Sequence, residues 1–146
     1  MDTLKKNQVS EIMYKIYEYM YRFEKKEERL FGISWNELYL LTIIYKGNKI
    51  TVSQCSKKLE IPMFSTSRMI TKLENNGLIQ RINNEKDKRI VNIIVSPKGL
   101  DLIHKVDEFN LSMFENVFDK ISSKDLNDMS RSIDDLEVLF QNNFED

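Results

Sequence analysis

The sequence contains few of the residues that build disulfides, metal centres and flexible linkers. Its 146 residues include one cysteine, one histidine, two prolines and four glycines. A single cysteine excludes an intrachain disulfide, and one histidine beside one cysteine argues against a zinc site. No nucleophile–base set, metal-ligand cluster or phosphate-binding glycine loop is present, which argues against an enzyme. We therefore expect no catalytic residues, no metal and no cofactor.

Long apolar runs are missing as well. No stretch approaches the roughly eighteen residues that a membrane-spanning helix needs. The first residues, Met1–Lys6, lead into charged amphipathic sequence and not into an apolar signal core, which predicts a cytoplasmic protein with no membrane partner. With 41% hydrophobic and 31% charged residues, the chain is expected to fold and not to be disordered.

Charge is distributed unevenly along the chain. Residues 1–45 carry seven basic and seven acidic side chains, so this segment is neutral. Residues 46–98 carry eleven against four (+7), and residues 99–146 carry four against twelve (−8). A basic centre between neutral and acidic flanks indicates that the middle of the chain meets a polyanion. Chance clustering on solvated faces is the alternative that charge alone leaves open.

Helical periodicity dominates the first part of the chain. Residues 9–30 are apolar on most faces of a helix, so this helix should be buried between its own domain and a partner. Gly32 is expected to end it. Ser34 and Glu37 have the spacing of a capping box, and they begin a second helix that ends near Gly47.

The centre predicts two short helices followed by a hairpin. Thr51 is a good N-cap for the first, and Pro62 is expected at the first position of the second, which ends at residues 75–77. Two β-branched runs, residues 78–82 and 90–95, are joined by a polar segment and predict a β-hairpin with a charged tip. The fold class is therefore mainly α with a small β-hairpin wing, a winged helix-turn-helix.

Two longer helices are predicted after the hairpin. Ser96 caps the first, with Pro97 at its first helical position. The second begins at Ser122 and carries apolar residues such as Leu126 and Ile133 at helical spacing. In both helices the apolar residues form a face that is long enough to pack against another helix.

Three segments resemble the multiple-antibiotic-resistance-regulator (MarR) family of bacterial transcription factors. Residues 51–59, Thr-Val-Ser-Gln-Cys-Ser-Lys-Lys-Leu, look like the family's positioning helix. Residues 67–81 look like the recognition helix and the strand that follows it. Residues 87–99 resemble the family's wing, with an Asp-x-Arg tip and a hydroxyl-x-x-Gly helix start. Together these segments lie within residues 51–99, a span of about a third of the chain.

The resemblance implies a homodimeric regulator that binds double-stranded DNA at a pseudo-palindromic operator, as a repressor for example. Residues 1–33 would form an N-terminal dimerisation helix, residues 34–98 the winged helix-turn-helix, and residues 99–146 the C-terminal dimerisation helices. A small aromatic or apolar effector that releases the DNA is a further expectation. A winged-helix protein-interaction module without DNA binding is the alternative.

The sequence departs from the family pattern at the start of the recognition helix. Glu60 stands where the preceding turn commonly has glycine, and Pro62 replaces a serine or threonine cap. Met63 and Phe64 occupy positions that are usually small or polar. The last departure touches base recognition, so the operator sequence cannot be taken from relatives.

The recognition helix is predicted to have two unlike faces. Thr66, Met69, Ile70 and Leu73 share one face and should pack inward. The opposite face is predicted to lie in the major groove, where arginine binds guanine and an apolar ring contacts a thymine methyl. It consists of Phe64, Ser65, Ser67, Arg68, Thr71 and Lys72. A merely solvated polar face is the alternative.

The wing carries the remaining DNA-binding candidates. The resemblance implies that Arg89 enters the minor groove while Asp87 holds its guanidinium in place, and a narrow A·T-rich groove attracts arginine. Arg81, Lys86 and Lys88 are expected to meet phosphates. The alternative for Asp87 and Arg89 is an ordinary exposed ion pair, which contributes little to stability.

Two lone side chains and one aromatic cluster remain. Cys55 is expected to pack in the core, because a reactive thiol needs exposure and a lowered pKa, with redox sensing as the alternative. His104 is expected to face solvent or to pack. The effector pocket is assigned to Tyr17, Met20, Tyr21 and Trp35; a dimer core containing these aromatic residues is the alternative.

Overall fold

A computed structural model of the chain describes residues 3–84, 87–118 and 120–144. Within these ranges the chain forms six helices and a two-stranded antiparallel hairpin, which confirms the predicted fold class. In chain order the elements are α1 (Thr3–Phe31), α2 (Trp35–Gly47), α3 (Val52–Leu59), α4 (Met63–Asn75), β1 (Ile79–Asn83), β2 (Val91–Val95), α5 (Pro97–Phe118) and α6 (Ser123–Phe144). None of the helices in the described part is both long and apolar enough to cross a membrane.

The chain divides into two compact units, residues 1–106 and residues 107–146. The DNA-binding candidates predicted from the sequence all lie in the first unit. The functional division into residues 1–33, 34–98 and 99–146 stays a prediction.

Local side-chain caps set the helix starts that the sequence predicts. At α2 the Ser34 hydroxyl accepts from the backbone N–H of Glu37, and the Glu37 carboxylate accepts from the N–H of Ser34, at 3.4 and 3.1 Å. Thr51 and Gln54 form the same reciprocal pair at α3. Before α6, the Ser122 hydroxyl accepts from the N–H of Asp125 at 3.2 Å. Each pair satisfies backbone donors that a helix start leaves free.

Several predicted boundaries differ from the structure, among them the start of the second strand, which is Val91 and not residue 90. α1 begins at Thr3 and not at residue 9. Pro62 is the N-cap of α4, not its first helical residue, because its ψ of 142° is extended while its carbonyl accepts from the N–H of Thr66 at 3.1 Å. The first strand begins at Ile79, one residue later than predicted. The N–H of Leu78 closes the end of α4 on the carbonyl of Leu73 at 2.9 Å, so it is not available to a strand ladder.

The hairpin is joined to the helical core at its base. β1 and β2 pair antiparallel, with Ile79 opposite Val95 and Asn83 opposite Val91. A third segment adds a bridge, since Ile50 and Ile93 exchange both backbone hydrogen bonds at 3.3 and 2.7 Å. The position of the wing relative to α2 and α3 is therefore fixed by backbone pairing.

The core lies where α2, α3, α4 and the hairpin meet. Its fully buried side chains include Leu40, Ile44, Cys55, Ile70 and Ile93. Burial of Cys55 confirms the packing prediction. Loss of solvent around the thiol raises its pKa to about 11, so the thiol stays protonated at neutral pH. His104 is exposed on α5, as expected.

Glu60 ends α3 in the left-handed conformation, with φ 55° and ψ 33°, at the position where the family commonly has glycine. The left-handed conformation costs an L-residue roughly 1–2 kcal/mol of folding free energy. Glycine avoids this strain, but it also makes the unfolded chain more flexible, which offsets part of the stabilisation. We expect Glu60→Gly to stabilise the fold by about 0.5–1 kcal/mol in denaturant unfolding. The matched variant Lys57→Gly, inside α3, should destabilise it by about 1 kcal/mol. A Glu60→Gly protein less stable than wild type would contradict this account.

Candidate nucleic-acid interface

The inward face of α4 anchors the helix in the core. Thr66, Ile70 and Leu73 are fully buried and Met69 is partly buried, which confirms the predicted inward set. The Thr66 hydroxyl, buried with its helix, donates to the carbonyl of Pro62 at 3.3 Å. Because this face is filled, the opposite face of α4 must point away from the core.

The outward face of α4, made of the six residues predicted to lie in the major groove, borders a shallow groove. Phe64, Ser65, Arg68, Thr71 and Lys72 are exposed and Ser67 is partly exposed. The groove has a volume of about 540 Å³. It is lined by Phe64, Ser67, Arg68, Thr71, Lys72, Asn75 and Asn76. The structure therefore brings five of the six predicted α4 residues to one concave surface, with Ser65 beside it.

Phe64 and Arg68 contact one another on this outward face. They lie one helical turn apart, and the guanidinium carbon of Arg68 is 5.7 Å from the centre of the Phe64 ring. The ring is 72% exposed, although phenylalanine is usually buried. The contact is a cation–π pair at the start of the helix.

Lys72 is held by a buried carboxylate from another helix. Its Nζ lies 2.6 Å from Oε1 of Glu37, whose side chain is 7% exposed, while that of Lys72 is 62% exposed. Burial by itself raises the pKa of Glu37. The hydrogen bonds from Lys72 and from Ser34 outweigh that effect and hold the pKa below its usual value. Glu37 therefore caps α2 and also ties α2 to α4.

Arg81 is also engaged within the protein. Its Nη2 donates to the Thr71 hydroxyl at 3.3 Å, and its Nε lies 3.5 Å from Oε2 of Glu74. These contacts join β1 to the outward side of α4. Arg81 therefore braces the wing against the helix and shares its charge with a carboxylate.

Side-chain-to-backbone hydrogen bonds shape the tip of the wing. The Asp87 carboxylate accepts from the backbone N–H of Arg89 at 3.0 Å, and the Asn84 amide oxygen accepts from the N–H of Asp87 at 3.2 Å. The expected pairing of Asp87 with the Arg89 guanidinium is not observed in the described part of the tip. An aspartate side chain readily accepts a hydrogen bond from the backbone N–H two residues later in the chain. Asp87 makes this local bond instead of pairing with the Arg89 guanidinium. Lys88 and Arg89 are exposed, and the predicted Lys86 lies outside the described residues.

Sequence reasoning missed several members of this surface. Glu37 was recognised only as a cap, and Glu74, Asn75 and Asn76 were not assigned to the site. The pairing of Glu37 with Lys72 spans thirty-five positions, so no local pattern indicates it. The asparagines had a signal, since they precede Gly77 at the end of the recognition helix.

The proposed effector residues lie on two different faces. Tyr17, Met20 and Tyr21 are exposed on α1. Trp35 packs edge-on against Phe23, with ring centres 6.0 Å apart and planes at 74°. At 100° per residue, Phe23 lies on another side of α1 from the two tyrosines. The structure therefore records no common contact among the four, and the pocket stays a prediction.

The Lys72–Glu37 ion pair yields a stability prediction. Removing Lys72 leaves a buried carboxylate with Ser34 as its partner, so Lys72→Ala should lower the free energy of unfolding by about 1 kcal/mol at neutral pH. Because the pKa of Glu37 is lowered in the fold, the pair stabilises above the ordinary carboxyl range, and this stabilisation is lost as the pH falls through the lowered value.

Denaturant unfolding across a pH series checks this prediction. The difference between wild type and Lys72→Ala should be largest near neutral pH and shrink in acid. Lys57→Ala, which removes another exposed cation, should leave stability nearly unchanged at every pH. A difference for Lys72→Ala that grows in acid would contradict the assignment.

Comparisons with known proteins agree with this geometry. Residues 33–91 match the model of the MarR family. The chain is 30% identical over 96 residues to YdgJ, an HTH-type transcriptional regulator of Bacillus subtilis (strain 168), covering 63% of this chain and 58% of YdgJ. Against the first three curated relatives it matches, the chain spans 58–63% of their length.

Two solved structures share the fold over nearly the whole chain. A MarR family protein from Bacillus stearothermophilus is similar with a TM-score of 0.82 and 19% identity, over 97% of this chain and 99% of that one. Streptococcus pneumoniae FabT, solved in complex with DNA, is similar with a TM-score of 0.79 and 24% identity, over 94% and 98%. The family model, the relatives and the shared fold agree. Residues 33–91 of this chain therefore match the MarR family.

Proposed function

We propose that the chain is a homodimeric, sequence-specific DNA-binding transcriptional regulator that acts in the cytoplasm and has no catalytic activity. The observation that carries the proposal is the outward face of α4 beside the wing. On this side Arg68, Lys88 and Arg89 are exposed cations whose charge no carboxylate neutralises among the described residues. The FabT structure adds support, because that protein was solved bound to DNA on the same fold.

The dimensions of α4 suit the major groove. Its 13 residues span about 20 Å, and the groove is wide enough to admit a helix. The core holds the inward face, so the outward face can approach base edges without rearrangement. Lys88 and Arg89 at the wing tip would then contact phosphates and the adjacent minor groove. With the Asp87 carboxylate on the backbone, the Arg89 guanidinium is available to DNA.

Exposed apolar side chains support a homodimer. α1 exposes Ile12, Tyr14 and Tyr17, and α6 exposes Leu126 and Ile133. Several large apolar side chains exposed along one helix are typical of a protein–protein interface. A two-fold dimer would present two copies of α4 to successive major grooves, so the operator should be pseudo-palindromic.

Repression and effector release belong to the same proposal. A dimer bound across an operator would block transcription there. The exposed Tyr17 and Tyr21 would offer rings with polar tips to a small aromatic or apolar effector, and Met20 and Trp35 would add apolar contacts. Binding would release DNA by favouring a dimer geometry that no longer matches the spacing of the half-sites.

Selection from a random double-stranded DNA library tests the DNA-binding proposal. The wild-type chain should enrich a pseudo-palindrome and sediment as a dimer, alone and on DNA. A variant with Arg68, Lys88 and Arg89 changed to alanine should lose binding. The matched control, with alanine at Lys15, Lys105 and Arg131, removes three exposed cations elsewhere and should bind like wild type. A wild-type dimer that enriches no DNA would favour the protein-interaction module.

A further inference from the structure

We propose that Phe64 and Arg68 act as one recognition unit that selects a guanine beside a thymine in each half-site. The inference rests on the proposed function and names the base step that the outward face of α4 recognises. Two apolar side chains, Met63 and Phe64, occupy the first two positions of α4.

The Phe64 ring is not used by the fold. It is 72% exposed, and the inward face of α4 is already completed by Thr66, Ile70 and Leu73. Neighbouring Met63 is 54% exposed. An apolar pair that stays in solvent on the helix facing DNA is typical of a contact surface.

Arg68 is the cation of this face that remains available to a base. The two other cations on this side of α4 are each paired with a carboxylate, since Lys72 pairs with Glu37 at 2.6 Å and Arg81 pairs with Glu74 at 3.5 Å. Arg68 contacts the Phe64 ring instead, with its guanidinium carbon 5.7 Å from the ring centre. A ring accepts no strong hydrogen bond, so the N–H donors of Arg68 stay free while the contact restricts where the side chain can lie.

The chemistry of the pair matches two adjacent base pairs. Guanine offers two acceptors, O6 and N7, to the fork of an arginine in the major groove. Thymine alone among the bases offers a methyl group there, and an aromatic ring is a suitable apolar partner for it. One helical turn separates the residues by about 5.4 Å, and successive base pairs lie about 3.4 Å apart, so two long side chains one turn apart can reach adjacent base pairs.

Base analogues that each remove one chemical group provide the test. The probe is the duplex enriched from the random library by the dimer of this chain, with thymine replaced by deoxyuridine or guanine by 7-deazaguanine at single positions. Deoxyuridine at the proposed step should weaken wild-type binding about fourfold, the effect of one methyl-sized apolar contact. The same change should have no effect on Phe64→Ala. Deazaguanine should weaken wild type about tenfold and leave Arg68→Ala unchanged.

A double-mutant cycle tests whether the two residues act together. Arg68→Ala should weaken binding about 10- to 100-fold in the wild-type background, and at least threefold less in the Phe64→Ala background. Phe64→Leu, which stays apolar without a ring, should keep the deoxyuridine effect and lose most of the coupling. Tyr39→Ala, which removes an exposed ring on α2 outside the outward face of α4, is the control and should leave both effects intact.

The outcomes separate this inference from the proposed function. An enriched operator whose binding is insensitive to both analogues, or additive effects of the two substitutions, would overturn the inference and leave the regulator proposal standing. Failure to enrich any operator would overturn both. Sensitivity at the predicted step that disappears in the matching variant would support both.

Discussion

Replacing Gly99 by alanine is expected to destabilise the chain by about 3 kcal/mol, at the upper end for overpacking. A Cβ at this position would lie 2.1 Å from the carbonyl oxygen of Leu78 and 2.8 Å from Cγ1 of Val95. The oxygen cannot easily move, because it accepts the N–H of Ser96 at 3.0 Å. The side chain of Ser96 holds the same region, because its hydroxyl donates to the Gly77 carbonyl at 2.6 Å and accepts from the N–H of Gly99 at 3.0 Å.

Denaturant unfolding of matched glycine variants checks this expectation. Gly32 has φ +67° and open space around it, so Gly32→Ala should lose only the left-handed preference, about 1 kcal/mol. Gly99→Ala should lose clearly more, because its cost comes from a backbone clash. Equal losses for the two variants would mean that the start of α5 moves freely relative to the hairpin. In that case the hydroxyl-x-x-Gly motif would have no packing role.

Affinity for DNA is expected to fall about 10⁴-fold between 50 and 200 mM salt. With about eight phosphate contacts per dimer, the slope of log K against log salt would be about −7, because each neutralised phosphate releases counterions. The basic centre, residues 46–98, supplies these contacts through exposed side chains such as Lys88 at the wing tip. Titrations of the selected operator at four or five salt concentrations give the slope directly.

Two variants distinguish phosphate contacts from base contacts in the same titrations. Lys88→Ala removes one phosphate contact per subunit and should reduce the slope by about 2 per dimer. Arg68→Ala should lower affinity at every salt concentration and leave the slope nearly unchanged, since it contacts a base. A wild-type slope near zero would contradict the regulator proposal and favour the protein-interaction module.

Much of the helix pattern could be predicted because its determinants are local. The caps at Ser34, Thr51 and Ser122 and the stop at Gly77 depend on hydrogen bonds across three to five positions. The two faces of α4 follow from helical spacing, and burial of Cys55 follows from its place in the same pattern. The MarR resemblance likewise rests on contiguous segments, two of which, residues 51–59 and 67–81, lie wholly within the matched residues 33–91.

The sequence did not predict the element boundaries and side-chain partners that depend on a second helix or strand. Leu78 begins an apolar run that is typical of a strand, yet its N–H donates to the carbonyl of Leu73 at the end of α4. Pro62 fits either of two positions at a helix start, and the carbonyl bond to Thr66 decides between them. These are competitions between neighbouring backbone groups, and only the placed chain shows which bond forms.

The sequence by itself determined the helices, the hairpin, the inward set of α4 and the exposed cations of the wing. Tertiary structure decided which partner each cation near α4 contacts. Lys72 pairs with Glu37, Arg81 pairs with Glu74, and Arg68 contacts the ring of Phe64. The reason is physical. A helix or a turn is stabilised by bonds within a few residues, whereas an ion pair depends on where two separately formed elements are held by the core between them.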